Sequence, residues 1–299
     1  MSYLLKKLFI VFIIILLFDL LIGKTLEYFY YRQTSGLLYR TTYSMDSTTA
    51  DILIFGSSRA NHHYVPEILE DSLKMFYYNT GRDGSGIFYQ LAVLKSILKR
   101  HNPKIVILDY YDVLEFNQSD YDRLSSLLPY YKRHIEIQDI VNKRSSFEMV
   151  KLLSSTYPYN SLLTTIMVGN FDMNKKRKSD NKGYVPLYSE WKLDLKTVES
   201  IPKLSLDVNK KNSFIEFIDL CRKSEIKVYV VYSPIFMLHA DEEEISIAKK
   251  LCKERNVDFL DFSKDNFFLS RPDFFQDITH LNHKGAITFT NQVLTKIKR

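Results

Sequence analysis

The sequence predicts an α/β body, a three-layer sandwich around a parallel five-stranded sheet, carried behind an N-terminal transmembrane helix. Two patterns predict the body: short apolar runs with few polar interruptions, as in strands covered on both faces, and helical patterns lying between them. A single long apolar stretch at the N-terminus predicts the membrane helix. The 299 residues, 45% hydrophobic and 25% charged, can bury a sizeable core as one large domain with appendages. The formal charge of +6 is modest and no reading motif accompanies it, which argues against nucleic-acid binding. The 21 Tyr and 20 Phe are read as compositional bias rather than as carbohydrate-stacking surfaces.

Residues 8–22 are apolar except for Asp19. Extended back to Tyr3, with Lys6 and Lys7 snorkelling toward headgroups, the stretch approaches the roughly 20 residues a bilayer requires. The two lysines favour a cytoplasmic N-terminus, and no small-x-small cleavage pattern follows the apolar run. The expected location is therefore a bacterial cytoplasmic membrane, single-pass, with the body on the extracytoplasmic side. Asp19 is costly in hydrocarbon and is expected near the far interface, with a partner helix as the alternative. Residues 1–30 read as anchor and stalk, and residues 31–299 as the α/β domain with an insertion at about 113–210.

In chain order, strands are expected at residues 51–56, 75–81, 104–112, 227–234 and 257–262. Helical patterns follow or separate them: "PEILEDSL" with Pro66 in its first turn, "SGIFYQLAVLKSILKR", "SFIEFIDLCRK", "EEEISIAKKLCKER" and "HKGAITFTNQVLTKIK". This is the βαβ rhythm of a parallel sheet, whose ligands bind beyond the carboxyl ends of the strands. The insertion breaks the rhythm. It carries "SSFEMVKLLSS", the apolar "SLLTTIMVG", a "YVPLYSEW" segment with the only tryptophan, and a basic loop. Lys175, Lys176, Arg177, Lys178 and Lys182 of that loop suit anionic headgroups or an acidic glycan, although a solvated loop is the plainer reading. Cys221 and Cys252 lie in helical segments where free cysteine packs as a small hydrophobe, and a bridge between them is the alternative. Neither has metal-ligand spacing, and no dinucleotide fingerprint or Walker motif is present, so no metal or cofactor is expected.

Three fragments follow strands: Gly56-Ser57-Ser58-Arg59 after the first, "NTGRDGSG" after the second, and "QDITHLNHKGA" before the last helix. Together they hold the parts of acyl transfer. A serine hydroxyl needs a base within hydrogen-bond reach, and the base needs a group that fixes its tautomer. His280 and Asp277, three residues apart, meet both needs. Backbone amides at a helix start and in a glycine loop suit an oxyanion. Either serine fits the chemistry.

These fragments resemble the SGNH, or GDSL-like, hydrolase superfamily. Its Gly-Asp-Ser block is similar to Gly56-Ser57-Ser58, its second block to Asn79, Gly81 and Gly84, and its D-x-x-H block to Asp277 and His280. The resemblance implies Ser58 as nucleophile, with Ser57 in the aspartate's place, and the amides of Ser58 and Gly81 as oxyanion donors. It covers residues of about 50–112 and 225–298. The third block, G-x-N-D, departs: the "DYYD" after the third strand has no asparagine, which removes one oxyanion donor. Arg59 and Asn79 are assigned to substrate binding, with a local acid as the other partner for Arg59. His62 and His63 are expected as exposed polar residues, and Asn282 and His283 as caps of the final helix.

The resemblance implies a serine esterase or O-acyltransferase that acts on acyl groups, acetyl above all, of a cell-envelope or exported polysaccharide. The partners expected are that acylated polymer or another ester, the membrane, and a membrane acyltransferase. The rival reading is a non-catalytic glycan-binding or assembly protein with the same fold, and a thioesterase or lipase is the third.

Overall fold

The computed structural model describes residues 2–171, 173, 181–191, 205–236 and 242–298. Lys175, Lys176, Arg177 and Lys178 of the basic loop lie outside the described residues. The chain folds as two compact units, one of Met1–Thr42 with Tyr121–Lys178, the other of Tyr43–Asp120 with Ser179–Arg299. The first unit thus joins the N-terminal helix to part of the expected insertion.

Helices α1 (Ser2–Tyr31) and α2 (Gly36–Asp46) precede β1 (Ile52–Phe55), α3 (Ser58–His63), α4 (Pro66–Leu73), β2 (Tyr77–Asn79), α5 (Ile87–Leu98) and β3 (Ile105–Asp109). Short helices α6 (Gln118–Asp122), α7 (Gln138–Val141), α8 (Glu148–Lys151) and α9 (Leu163–Asn170) follow, interspersed with 3-10 turns. The chain then returns through α10 (Val208–Lys223), β4 (Lys227–Tyr232), α11 (Glu242–Lys253), β5 (Asp258–Asp261), α12 (Asn266–Leu269) and α13 (His283–Ile297).

The five strands pair in parallel in the order β2-β1-β3-β4-β5. Alternation along the central strands gives two apolar faces, as the side-chain period of two requires. Ile52, Ile54, Ile105, Ile107, Tyr229 and Val231 share a core with Phe289, Val293, Leu294 and Ile297 of α13. On the other side Phe55 meets Phe217 of α10 edge to face at 5.2 Å. Each fully buried aliphatic or aromatic side chain of this kind contributes about 1.5–3 kcal/mol.

Helix ends follow local chemistry. Asp207 caps α10 by accepting from the amides of Asn209 and Lys210, and Pro66 opens α4 where its missing N–H costs nothing. Asn282 caps α13 by accepting from the Gly285 amide at 3.0 Å, as the sequence suggests. Cys221 and Cys252 are both buried and unbridged. Burial pushes both thiols up, Cys252 to about 12.

In the other unit, α1 is 30 residues long, which at about 1.5 Å per residue makes about 45 Å. Among the described residues no helix is long and apolar enough to cross a membrane. In α1 the apolar run is interrupted by Asp19. Asp19 finds partners within the chain. Its carboxylate accepts from Ser154 Oγ (2.6 Å) and from the amides of Ser155 (2.6 Å) and Thr156 (3.2 Å).

Candidate active site

Ser58 stands where the strand order reverses, between the carboxyl ends of β1 and β3, the usual crevice of an open parallel sheet. Gly56 makes the turn that puts it there. Its φ is 143°, and a Cβ on it would stand 2.8 Å from Ala60 Cβ and 2.9 Å from the Asp109 carbonyl. Only glycine fits there. The chain then enters α3, whose first residue is Ser58 and whose first amides have no intrahelical acceptor.

Ser58 Oγ–H donates to His280 Nε2 at 2.7 Å. On the far side of the ring, His280 Nδ1–H donates to Asp277, 2.9 Å from each carboxylate oxygen. Residues 222 and 3 apart in sequence are thus in one line, hydroxyl to imidazole to carboxylate. The loop holding the latter two is pinned throughout. Asp277 Oδ1 also accepts from the amides of Thr279 and His280, both at 2.9 Å, while the Gln276 amide donates to the His280 carbonyl at 2.8 Å. Partial burial works to raise the Asp277 carboxyl, but the His280 ring N–H and these amides outweigh it and hold it at about 2. The carboxylate stays charged at neutral pH and selects the tautomer whose Nε2 accepts from serine.

Ser57 is occupied otherwise, because its Oγ accepts from the Gly84 amide at 3.0 Å and so ties the second loop to the first. The Gly81 amide, expected to serve an oxyanion, instead donates to Asn79 Oδ1 at 2.9 Å. Asn79 is fully buried and its Nδ2 donates to the Ala60 carbonyl at 2.6 Å, so it braces the turn and does not meet substrate. Both expectations fail for one reason. Asn79 needs buried partners for its amide, and it finds them in the Ala60 carbonyl of α3, the Tyr77 hydroxyl of β2 and the Gly81 amide.

Arg59 meets an acid, the second of its two expected partners. It is 1% exposed, its Nε lies 3.3 Å from Asp109 Oδ1 and donates to Ser233 Oγ (2.8 Å), and its Nη2 donates to the Ser233 carbonyl (2.7 Å). Its guanidinium carbon sits 4.7 and 4.6 Å from the ring centroids of Tyr111 and Tyr232, a stacked, desolvated charge. Tyr64 Oη donates to the second Asp109 oxygen at 2.7 Å. The end of β3, where the asparagine of the third block is absent, is thus built into a buried ion pair. Burial pushes the Asp109 carboxyl up, and Arg59, Tyr64 and Ser233 offset part of that rise.

The two histidines of α3 are buried rather than exposed. Burial, with the charge on Arg59 next, pushes His63 well below its ordinary 6.5, so the ring is neutral. Its Nδ1–H donates to Ser233 Oγ (3.0 Å) and its Nε2 accepts from the Leu281 amide (2.9 Å), the residue after His280. His62 Nδ1–H donates to the Val185 carbonyl at 2.6 Å, and its ring stands 5.8 Å from that of His280, edge on. The sequence signal for both was spacing: His62 falls one helical turn after Ser58 and His63 follows it. The segment 184–191 also borders this region, since the Val185 amide donates to the Asn61 carbonyl at 3.0 Å and the Leu187 carbonyl accepts from the His283 amide.

No protein-family model and no curated protein matches the chain. Among solved structures, the chain is similar to the acetyl xylan esterase AlAXEase, with TM-score 0.42 and 15% identity over 82% of this chain and 99% of that one. It is similar also to a proposed acylhydrolase from Bacteroides fragilis NCTC 9343, with TM-score 0.42 and 10% identity over 90% of this chain and 100% of that one. Likeness at this level says nothing of the activity.

Proposed function

We propose that this chain is an extracytoplasmic, membrane-anchored serine esterase or O-acyltransferase acting on acyl groups, acetyl above all, of an envelope or exported polysaccharide. The observation that carries the reading is the 2.7 Å contact of Ser58 Oγ with an imidazole whose other nitrogen meets a carboxylate at 2.9 Å. Such a line activates a hydroxyl that is otherwise a poor nucleophile.

Ser58 Oγ attacks the acyl carbonyl carbon while its proton passes to His280 Nε2, and Asp277 steadies the imidazolium that forms. The α3 amide at Ser58 faces the charge that develops on the carbonyl oxygen. As the tetrahedral adduct collapses, the ester C–O bond breaks and His280 returns its proton to the leaving oxygen. Water or a sugar hydroxyl, deprotonated by His280, then takes the acyl group from Ser58. With Gly81 engaged by Asn79 and no asparagine after β3, the oxyanion has fewer donors than the resembled family supplies. Loss of one such donor costs about 10²–10³ in rate. An acyl donor delivered by a membrane acyltransferase suits a slow site of this kind.

The anchor reading rests on α1. Residues 3–22 make about 30 Å of helix, roughly the thickness of a hydrocarbon core. Lys6 and Lys7 stand at one end, and Asp19 is satisfied by the chain itself. The second reading, a non-catalytic glycan-binding or assembly protein, is favoured by the engaged Gly81 amide. The test is acetate release from acetylated polysaccharides by the wild-type chain and by Ser58→Ala. Release that vanishes in the variant supports the enzyme; no release, with Ser58→Ala still supporting envelope function in cells, supports the rival.

A further inference from the structure

Residues 145–156 are built inside out for a segment facing water. Glu148, its only acid, is turned inward at 0% exposure, where Arg144 Nη1 (2.7 Å), Lys151 Nζ (2.9 Å) and Tyr157 Oη (2.9 Å) all donate to it. Phe147, Met149, Val150 and Leu153 are turned outward, Leu153 at 80% exposure. Four large apolar side chains so close together make a patch that a solvated surface does not ordinarily carry.

The structure also says where this segment lies along α1. Ser154, Ser155 and Thr156 hold the Asp19 carboxylate, and Thr156 Oγ1 donates to the Asp19 carbonyl at 3.0 Å. Gly23 lets the two backbones close, since a Cβ there would overlap the Ser155 carbonyl carbon. Beside this clamp runs a groove of about 580 Å³, with Ile15, Phe18 and Ile22 of α1 on one side and Lys151, Tyr157 and Asn160 on the other. The apolar segment therefore stands at the level of residues 15–23, the last third of the stretch that α1 would place in hydrocarbon.

From this we infer that the segment 147–153 is itself a membrane-binding element, seated in the leaflet at the C-terminal end of the α1 span. The occupant of the exposed apolar face is the acyl region of that leaflet. Lys143 and Arg144 precede the segment and Lys151 lies within it, and with Glu148 as the one acid between residues 142 and 155, buried and paired, the stretch keeps a net positive charge, which fits anionic headgroups. Asp19 is then a lock: an acid in an apolar helix costs free energy unless partnered, and the partner it selects brings a second apolar element to the bilayer. This inference rests on the proposal that α1 spans the membrane.

The experiment uses the full chain with a nitroxide on a single introduced cysteine, in vesicles of phosphatidylcholine and phosphatidylglycerol. Val150→Cys and Leu153→Cys report the segment, Ile10→Cys and Tyr28→Cys calibrate α1, and unsubstituted chain gives the background from the buried native thiols. The ratio of oxygen to nickel-chelate collisions at 150 and 153 is expected to be several-fold above that at 28 and below that at 10. A deep Ile10 label with water-like values at 150 and 153 overturns this inference and leaves the anchor standing. A water-like Ile10 label removes both. Labels at 150 and 153 that are water-like in vesicles yet shielded in native membranes overturn it in favour of a protein partner.

Discussion

Ser58 and Arg59 are consecutive residues of α3, yet one ends in a half-buried hydroxyl facing His280 and the other in a guanidinium sealed between two tyrosine rings. The Ser58 line runs outward, through an imidazole 23% exposed to a carboxylate 48% exposed. The Arg59 cluster runs inward, through Asp109, Ser233 and His63, and returns to the backbone of Leu281 beside the same imidazole. A half-exposed polar line has little to contribute to stability and is free to be optimised for chemistry. A sealed ionic cluster must be complete or it becomes a liability, because an uncompensated buried charge costs several kcal/mol. The contrast assigns activity to one set and positioning to the other, and each substitution below is aimed at one side of it.

The largest effect is expected from Ser58→Ala, which should lower hydrolysis of an activated acetyl ester by about 10⁴–10⁶ while leaving the unfolding temperature unchanged. Steady-state kinetics beside a thermal melt measures both. Asp277→Asn should cost about 10⁴ in kcat by favouring the wrong imidazole tautomer, with a modest fall in the melt at neutral pH, where the charged carboxylate contributes to stability. Arg59→Met should do the reverse, destabilising the fold by about 3–5 kcal/mol in denaturant unfolding by stranding Asp109. The double variant Arg59→Met, Asp109→Leu should recover much of that loss, and failure to recover would break the contrast. His63→Phe, which leaves the Leu281 amide without its acceptor, should cost about 1–3 kcal/mol and lower kcat with little change in KM.

Acid should separate the two sets more gently. The folded state holds the His63 pKa below its ordinary 6.5, so the unfolded chain binds the extra proton and stability falls as pH drops below about 6.5. Asp277 is depressed to about 2 from its ordinary 3.8. Its contribution is therefore present above that ordinary value and is lost as pH falls from about 4 to about 2. Melts from pH 7 to 5 should therefore fall in the wild type and flatten in His63→Gln. Melts below pH 4 should fall in the wild type and fall less steeply in Asp277→Asn, since Asp273 and Asp261 are held low as well.

Much of this was legible in sequence because it is written in local patterns. Among the five strands are runs such as "ILIF" and "VYVVY" that suit a doubly covered sheet, and their order with the intervening helices leaves few topologies. Ser58, Asp277 and His280 were legible because each directly follows a strand or precedes the last helix, where an open sheet converges. Asn79, His62 and His63 were misread for a common reason. Sequence names a polar group but not the direction in which it points, and in each case tertiary partners turned it inward. Asp19 shows the same limit, since its partners at 154–156 are some 135 positions away.

The measurement that bears most directly on the central claim is the site of a fluorophosphonate adduct. The wild-type chain is incubated with the probe at neutral pH, digested, and the modified residue read by tandem mass spectrometry, with His280→Ala treated alongside. The expected result is a phosphonylated Ser58, unmodified Ser57, and labelling at least about a hundredfold slower without His280. An adduct on Ser57, or labelling of Ser58 at the same rate in both proteins, would contradict it.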